Sequence, residues 1–203
     1  MPLLLASASP RRRDLLRAIG VPVEIAPAVI DEAVKEGEVW ADYVVRVVRA
    51  KLDAAISRRD VAPPHAAILV ADTVVVADGA ILGKPADEAE SLSMVQALRG
   101  RAHEVSTRFA IARAGETKPA HEETVTTRVF VRDVDDAWAR RYAATHEGND
   151  KAGGYAIQGI FSAAITRIEG SYSNVVGLPV CEVVTALEAL GLLAGFPAAE
   201  ARS

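Results

Sequence analysis

This sequence predicts an α/β fold whose sheet is mixed and largely antiparallel. Three observations lead there. The apolar pattern switches repeatedly between period two and period 3.6 along the chain. An Asp78-Gly79 pair separates two strand-like runs, which is a strong hairpin signal. Two segments, over 103–112 and 124–132, alternate apolar and polar residues as half-exposed antiparallel strands do. A regular βαβ array would lack them.

In chain order, residues 3–6 read as a short buried strand. A helix over 10–19 follows, with Ser9 at its N-cap, Pro10 at its first position and Gly20 closing it. The stretch 44–56 is an amphipathic helix with an apolar stripe through Val44, Val47, Val48, Leu52 and Ala55. Residues 57–64, polar and then Pro-rich, read as a surface loop. The hairpin strands are 68–76 and 81–84. A helix over 88–98 has Asp87 as its cap, Glu90 answering three residues on, and Gly100 just past its end. After the two alternating strands come a helix over 135–145 with Trp138 and Tyr142 on one side, a strand over 161–168, and a helix over 180–193 entered through Pro179. Residues 1–195 are expected to form one domain and 196–203 a frayed tail.

Composition narrows the function. Of the 203 residues, 50% are hydrophobic and 25% charged, which fits a folded globular chain and excludes a disordered or collagen-like one. Lys and Arg number 23 against 27 Asp and Glu, a net charge of −4, so no global basic field holds nucleic acid. Aromatics at 5% are too few for a base-stacking platform. The single cysteine, Cys181, excludes an intrachain disulfide and a multi-cysteine zinc site, and its valine neighbours suggest a buried thiol. The best apolar run, 68–77, is short and broken by Asp72 and Thr73, whereas spanning a bilayer takes about 20 residues. The first basic residues follow the apolar start, the wrong order for a secretory signal, so a cytoplasmic location is expected.

Four places break their own local rules. In Ser7-Ala8-Ser9-Pro10-Arg11-Arg12-Arg13 three arginines crowd a helix start, an end that carries partial positive charge and prefers acids. A solvated basic turn is one reading. The cap-plus-proline geometry favours the other, a cradle in which free N–H groups, a hydroxyl and guanidinium forks converge on phosphate. Lys51 falls in the apolar stripe of its helix and must either snorkel out or meet a buried anion. Asp72 shares a strand face with Ile68, Val70, Val74 and Val76. There it needs a metal, a cation or a proton, unless a bulge turns it outward. With Asp78 and Gly79 as central turn residues, Lys84 returns opposite Thr73 and beside Asp72. Finally, the stretches 150–159 and 170–179 are dense in glycine, a mark of loops or of close backbone approach. In the first, the Gln158 amide suits a nucleobase edge, with Tyr155 or Tyr172 as candidate packing partners.

Several motifs fail. Gly79-Ala80-Ile81-Leu82-Gly83-Lys84-Pro85 has a glycine spacing one residue too short for a P-loop, and Pro85 stands where Ser or Thr is required. Asp72 has no second aspartate two residues on, as an aspartyl-phosphate phosphatase would want. No Gly-x-Ser-x-Gly appears, and the four histidines show no metal-ligand spacing.

Taken in order, these segments resemble the Maf family of nucleotide pyrophosphatases. The resemblance is carried by Leu5-Ala6-Ser7-Ala8-Ser9-Pro10-Arg11-Arg12, Asp31-Glu32, Lys51, Ala71-Asp72-Thr73-Val74-Val75, Gly83-Lys84-Pro85, Gly100-Arg101-Ala102-His103-Glu104-Val105 and the two glycine-rich stretches. It implies a Maf/ITPase-like fold, an elongated sheet flanked by helices with two lobes around a central cleft. It also implies hydrolysis of a nucleoside triphosphate between the α and β phosphates. The two glycine-rich stretches are similar to those of the branch acting on dTTP and UTP, with modified pyrimidine nucleotides as further expected substrates. Gly154 departs from that branch's usual Ala, and Phe161-Ser162 stands where a Gly pair is common. The roles implied are Asp72, Lys51 and Lys84 in catalysis, Ser9, Arg11, Arg12, Thr73 and Gln158 in substrate binding, and Glu32 with Asp72 on Mg²⁺ or Mn²⁺. The competing expectations are a pyrophosphatase for another non-standard nucleotide and a nucleotide-binding regulator of septum formation. A homodimer is expected from symmetry statistics alone.

Overall fold

Two long strands organise the molecule, and everything that builds the cleft hangs on them. The computed structural model describes residues 1–58 and 65–197. Its elements are β1 (Leu3–Leu5), α1 (Pro10–Ala18), β2 (Val23–Ile25), α2 (Trp40–Ser57), β3 (Ala67–Ala77), β4 (Ala80–Leu82), α3 (Glu88–Leu98), β5 (Ala102–Arg113), β6 (His121–Val131), α4 (Asp136–Ala143), β7 (Ile165–Glu169), α5 (Tyr172–Val176) and α6 (Val180–Ala189). Short 3-10 turns lie at Ala152–Gly154 and Ile160–Ala164. The sheet order is β2-β1-β3-β5-β6-β7, with β4 on β3. Only β1 pairs in parallel, with β2 and β3; the other pairings are antiparallel. This is the mixed, largely antiparallel α/β sheet that the alternating segments predict. The loop expected over 57–64 and the tail expected after Phe196 fall mostly outside the described residues.

The topology opens a gap. β5 occupies one edge of β3, so β1 and β4 share the other. β1 covers Ala67, Ile68 and Leu69, and β4 covers Val75, Val76 and Ala77. Residues 70–74 of β3 lie between them with no strand alongside on that edge. The two flanking strands are only three residues long each, which leaves room for loops from both to close over that gap.

Packing changes at the same level. On one sheet face Leu69, Ala71, Phe109 and Ile111 pack under α1 and α6. Further along that face Val75, Val105 and Val129 pack under α3 and α4. Between the two cores runs a seam of hydroxyls. Thr73 lies 2.9 Å from Thr107, and Thr127 accepts from the Asn174 amide at 2.9 Å. The buried Thr107 and Thr127 are thus satisfied within the protein, as burial requires. On the opposite face α2 lays Val44, Val47, Val48 and Leu52 over the even-numbered residues of β3.

Some elements differ from the sequence reading. β2 spans three residues, too few for alternation to be recognisable. α2 starts at Trp40, four residues early, because Tyr43 extends the buried stripe one turn back. Of the strand expected over 161–168, the first half is a 3-10 turn that buries Phe161 and Ala164 together. α5 lies inside what reads as a loop, because its five residues are flanked by Gly170 and Gly177; Ser171 caps it. α6 ends at Ala189, shortly before Gly191 at φ 67°. Cys181 is exposed, not buried. The buried face of α6 carries Val183, Ala186 and Leu187, and a residue two positions before Val183 points to the far side of the helix.

Candidate active site

A cleft of about 850 Å³ opens at the gap along β3. Its floor is Asp72 and Thr73. Strand alternation sends these two side chains to opposite faces, so each meets a different cation. Asp72 turns toward α2, where Lys51 Nζ donates to its Oδ1 at 2.7 Å. Lys51 lies 3.1 Å from Glu32 as well, so one ammonium bridges two carboxylates. The side chains of Lys51 and Asp72 are 9% and 10% exposed, which makes this a nearly buried pair whose charges compensate one another. Of the two readings open for Lys51, the buried anion holds.

Thr73 turns toward α1. Its hydroxyl accepts from Arg12 Nη2 at 3.0 Å. Arg12 also donates from Nε to the Gly177 carbonyl at 2.8 Å and from Nη1 to Ser7 Oγ at 3.0 Å. Burial lowers the Arg12 pKa, and the charges of Asp72 and Glu32 act in the opposite direction. A guanidinium has five N–H donors, so this network leaves two for a ligand. Gly177 sits at φ 133°, a backbone conformation that favours glycine, and in it the carbonyl faces Arg12.

The three arginines at the α1 start have three fates. Arg12 is buried in the network just described. Arg13 pairs with Asp14 at the surface. Arg11 crosses the cleft to Asp150 at 3.3 Å. Ser9 holds the N-cap position with extended backbone, but its hydroxyl makes no capping bond, and Pro10 supplies no N–H. The backbone amides of Arg11 and Arg12, in the first helical turn, therefore have no intrahelical acceptor and open on the same cleft.

Lys84 departs from expectation. The hairpin register is the one Asp78-Gly79 dictates, with Val75 opposite Leu82 and Ala77 opposite Ala80. The pairing then stops, because the Gly83 carbonyl accepts instead from Gly153 N at 2.9 Å. Lys84 is left exposed at the cleft rim and does not reach β3; the cation beside Asp72 is Lys51. Gln158 is also exposed and lines the cleft on a segment pinned from behind. Glu147 accepts from the backbone N–H groups of Ile160 at 2.6 Å and Phe161 at 3.2 Å. Phe161, one of the family departures, is fully buried and packs on the Tyr155 ring at a centroid distance of 4.6 Å. It does not line the cleft and bears on it only through the loop it supports. Gly154, the other departure, has φ 68°, and a Cβ there would meet the Met94 sulfur at 3.2 Å. Tyr155 lines the cleft; its hydroxyl lies 2.7 Å from His103 Nε2. Burial pushes the His103 imidazole down to about 4, so it is neutral. Tyr172 is half exposed and stands apart from the cleft.

Sequence reasoning missed three contributors. Asp150 and Lys151 belong to the cleft, and only the charge pair at the head of a glycine-rich stretch pointed to them. Tyr43 donates to the Glu32 backbone carbonyl at 3.1 Å, which tethers the Glu32 segment to α2. Burial and the nearby carboxylates of Asp72 and Glu32 raise the Tyr43 pKa to about 12. No group of three or more His, Cys, Asp or Glu side chains gathers as a metal site among the described residues. Asp72 and Glu32 still suit a magnesium-like ion, which takes one or two carboxylates and fills its shell with phosphate oxygens and water.

Known proteins resemble this chain along nearly its whole length. Residues 2–190 match the family described as Maf-like protein. Among curated relatives, the dTTP/UTP pyrophosphatase of Geotalea uraniireducens (strain Rf4) is 44% identical over 193 residues, covering 94% of this chain and 96% of its own length. The dTTP/UTP pyrophosphatase of Geobacter sp. (strain M21) is 45% identical over 191 residues, with the same two coverages. That of Hahella chejuensis (strain KCTC 2396) is 42% identical over 190 residues, covering 94% of this chain and 92% of its own length.

Proposed function

The chain belongs to the Maf family, and from that premise we propose that it hydrolyses dTTP and UTP, and modified pyrimidine nucleotides of the same shape, to the monophosphate and pyrophosphate. The observation that carries this reading is the meeting, in one cleft, of the Asp72–Lys51–Glu32 cluster with the arginine-bearing start of α1. A triphosphate bears three or four negative charges. Arg11, Arg12, Lys51 and Lys84 offset them, and the free amides and Ser9 hydroxyl at the helix start receive phosphate oxygens.

Asp72 is the general base in this reading. Its Oδ1 is held by Lys51, so the carboxylate is fixed in direction and its other oxygen is left to take the proton of the reacting water. Water oxygen bonds to the α-phosphorus, the bond to the α–β bridging oxygen breaks, the water proton passes to Asp72, and pyrophosphate leaves. Mg²⁺ or Mn²⁺, when bound, would be held by Asp72 and Glu32 and would draw charge from the phosphoryl oxygens. Thr73 fixes Arg12. Gln158 offers both a donor and an acceptor to the N3–O4 edge of a pyrimidine.

The test is a panel of nucleoside triphosphates assayed for pyrophosphate release, with and without Mg²⁺. The reading expects release from dTTP and UTP that depends on the metal. Release of orthophosphate instead, or no turnover of any nucleotide, overturns it.

A further inference from the structure

Four cations of the cleft are already engaged by groups of the protein, and they fall into two sets. Lys51 and Arg12 lie deep, the first held by Asp72 and Glu32, the second by Thr73, Ser7 and the Gly177 carbonyl. Arg11 and Lys151 lie at the rim, with side chains 31% and 20% exposed, and both are drawn to one carboxylate, Asp150. Arg11 Nη1 lies 3.3 Å from Asp150 Oδ2, and Lys151 Nζ bonds Asp150 Oδ1 while also donating to the Glu147 carbonyl at 2.6 Å. Asp150 itself is 67% exposed. The contact joins the start of α1 to the loop after α4 and so spans the cleft mouth.

We infer that Asp150 is an internal competitor for polyphosphate: it occupies Arg11 and Lys151 when the cleft is empty and is displaced when phosphates take those two cations. The inference rests on the reading that this cleft binds phosphate chains, and it makes Lys151 a phosphate contact. A polyanion entering the rim meets a like charge in its path and two cations already engaged. Binding is therefore weaker than the count of cations suggests, and a pyrophosphate product leaves faster.

The test is Asp150→Asn, with binding of inorganic pyrophosphate measured by calorimetry in chelator-treated buffer and thermal unfolding measured in parallel. Removing this one negative charge from the rim is expected to tighten binding about tenfold after screening. Pyrophosphate is expected to become a correspondingly stronger inhibitor of turnover. Adding Lys151→Met to Asp150→Asn should reverse most of the gain. A carboxylate that merely braces Arg11 and Lys151 predicts the opposite sign, so unchanged or weaker pyrophosphate binding in Asp150→Asn overturns the inference. Tighter pyrophosphate binding in a chain that hydrolyses no nucleotide would sustain it while overturning the proposed activity. Failure of the wild-type protein to bind pyrophosphate overturns it.

Discussion

Replacing Asp72 by Asn separates chemistry from stability, because the structure assigns the two effects different sizes. The amide oxygen of Asn still accepts from Lys51, as Asp72 Oδ1 does at 2.7 Å, and Lys51 keeps Glu32 at 3.1 Å. No cavity is created and no buried cation is stranded. The loss is confined to the difference between a charge-assisted and a neutral hydrogen bond, about 1–2 kcal/mol. In a chain of this length that is a fall in Tm of roughly 2–8 °C. Asn cannot take a proton from water, and loss of a positioned base lowers turnover on the order of 10² to 10⁴-fold. That equals about 3–5 kcal/mol in the barrier, well above the stability change. Pyrophosphate release from dTTP and UTP, measured beside thermal unfolding, gives both quantities on one preparation. A folded Asp72→Asn protein with turnover within about twofold of wild type would falsify the assignment of this carboxylate as the base.

Three further outcomes are expected. Gln158→Ala should raise KM for dTTP and UTP more than it lowers kcat, since the side chain is exposed in the cleft and supports nothing behind it; an unaltered preference among the four bases would rule out a role in base recognition. Arg12→Lys should lower stability by about 2–3 kcal/mol, because an ammonium cannot span Gly177, Ser7 and Thr73 as the guanidinium fork does; a denaturation midpoint equal to wild type would show the network to be dispensable. The His103 imidazole titrates near 4 when folded and at the ordinary 6.5 when unfolded. Below 6.5 the unfolded chain therefore binds a proton that the native state refuses, so stability is full above that pH, falls as pH drops toward 4, and is flat below it. The loss between pH 7.5 and pH 5 is on the order of 2 kcal/mol, and His103→Gln should remove this contribution in denaturant titrations at the two pH values.

Legibility in the sequence followed periodicity and charge. The long strands, the hairpin and the capped α3 helix were readable because alternation, Asp-Gly chemistry and an Asp87–Glu90 box are local signals. Lys51 and Asp72 were readable as misfits, each a charge on an apolar face, and the structure resolves both misfits with one contact. Which cation meets Asp72 was not readable. The hairpin register pointed to Lys84 correctly as far as Leu82, but a backbone bond from the distant Gly153 to Gly83 ends the strand first. Asp150 was hidden for a similar reason: its partner Arg11 is 139 positions away in the chain. α5 escaped because five residues between glycines carry no helical period.

β3 and β5, of eleven and twelve residues, run unbroken beneath both apolar cores and are paired with each other from Ala67 to Val76 of β3. A molecule built this way has no hinge at its middle. To swing one half against the other would mean shearing a ladder ten pairs long, so admission and release of ligand are left to the side walls, above a base that does not bend.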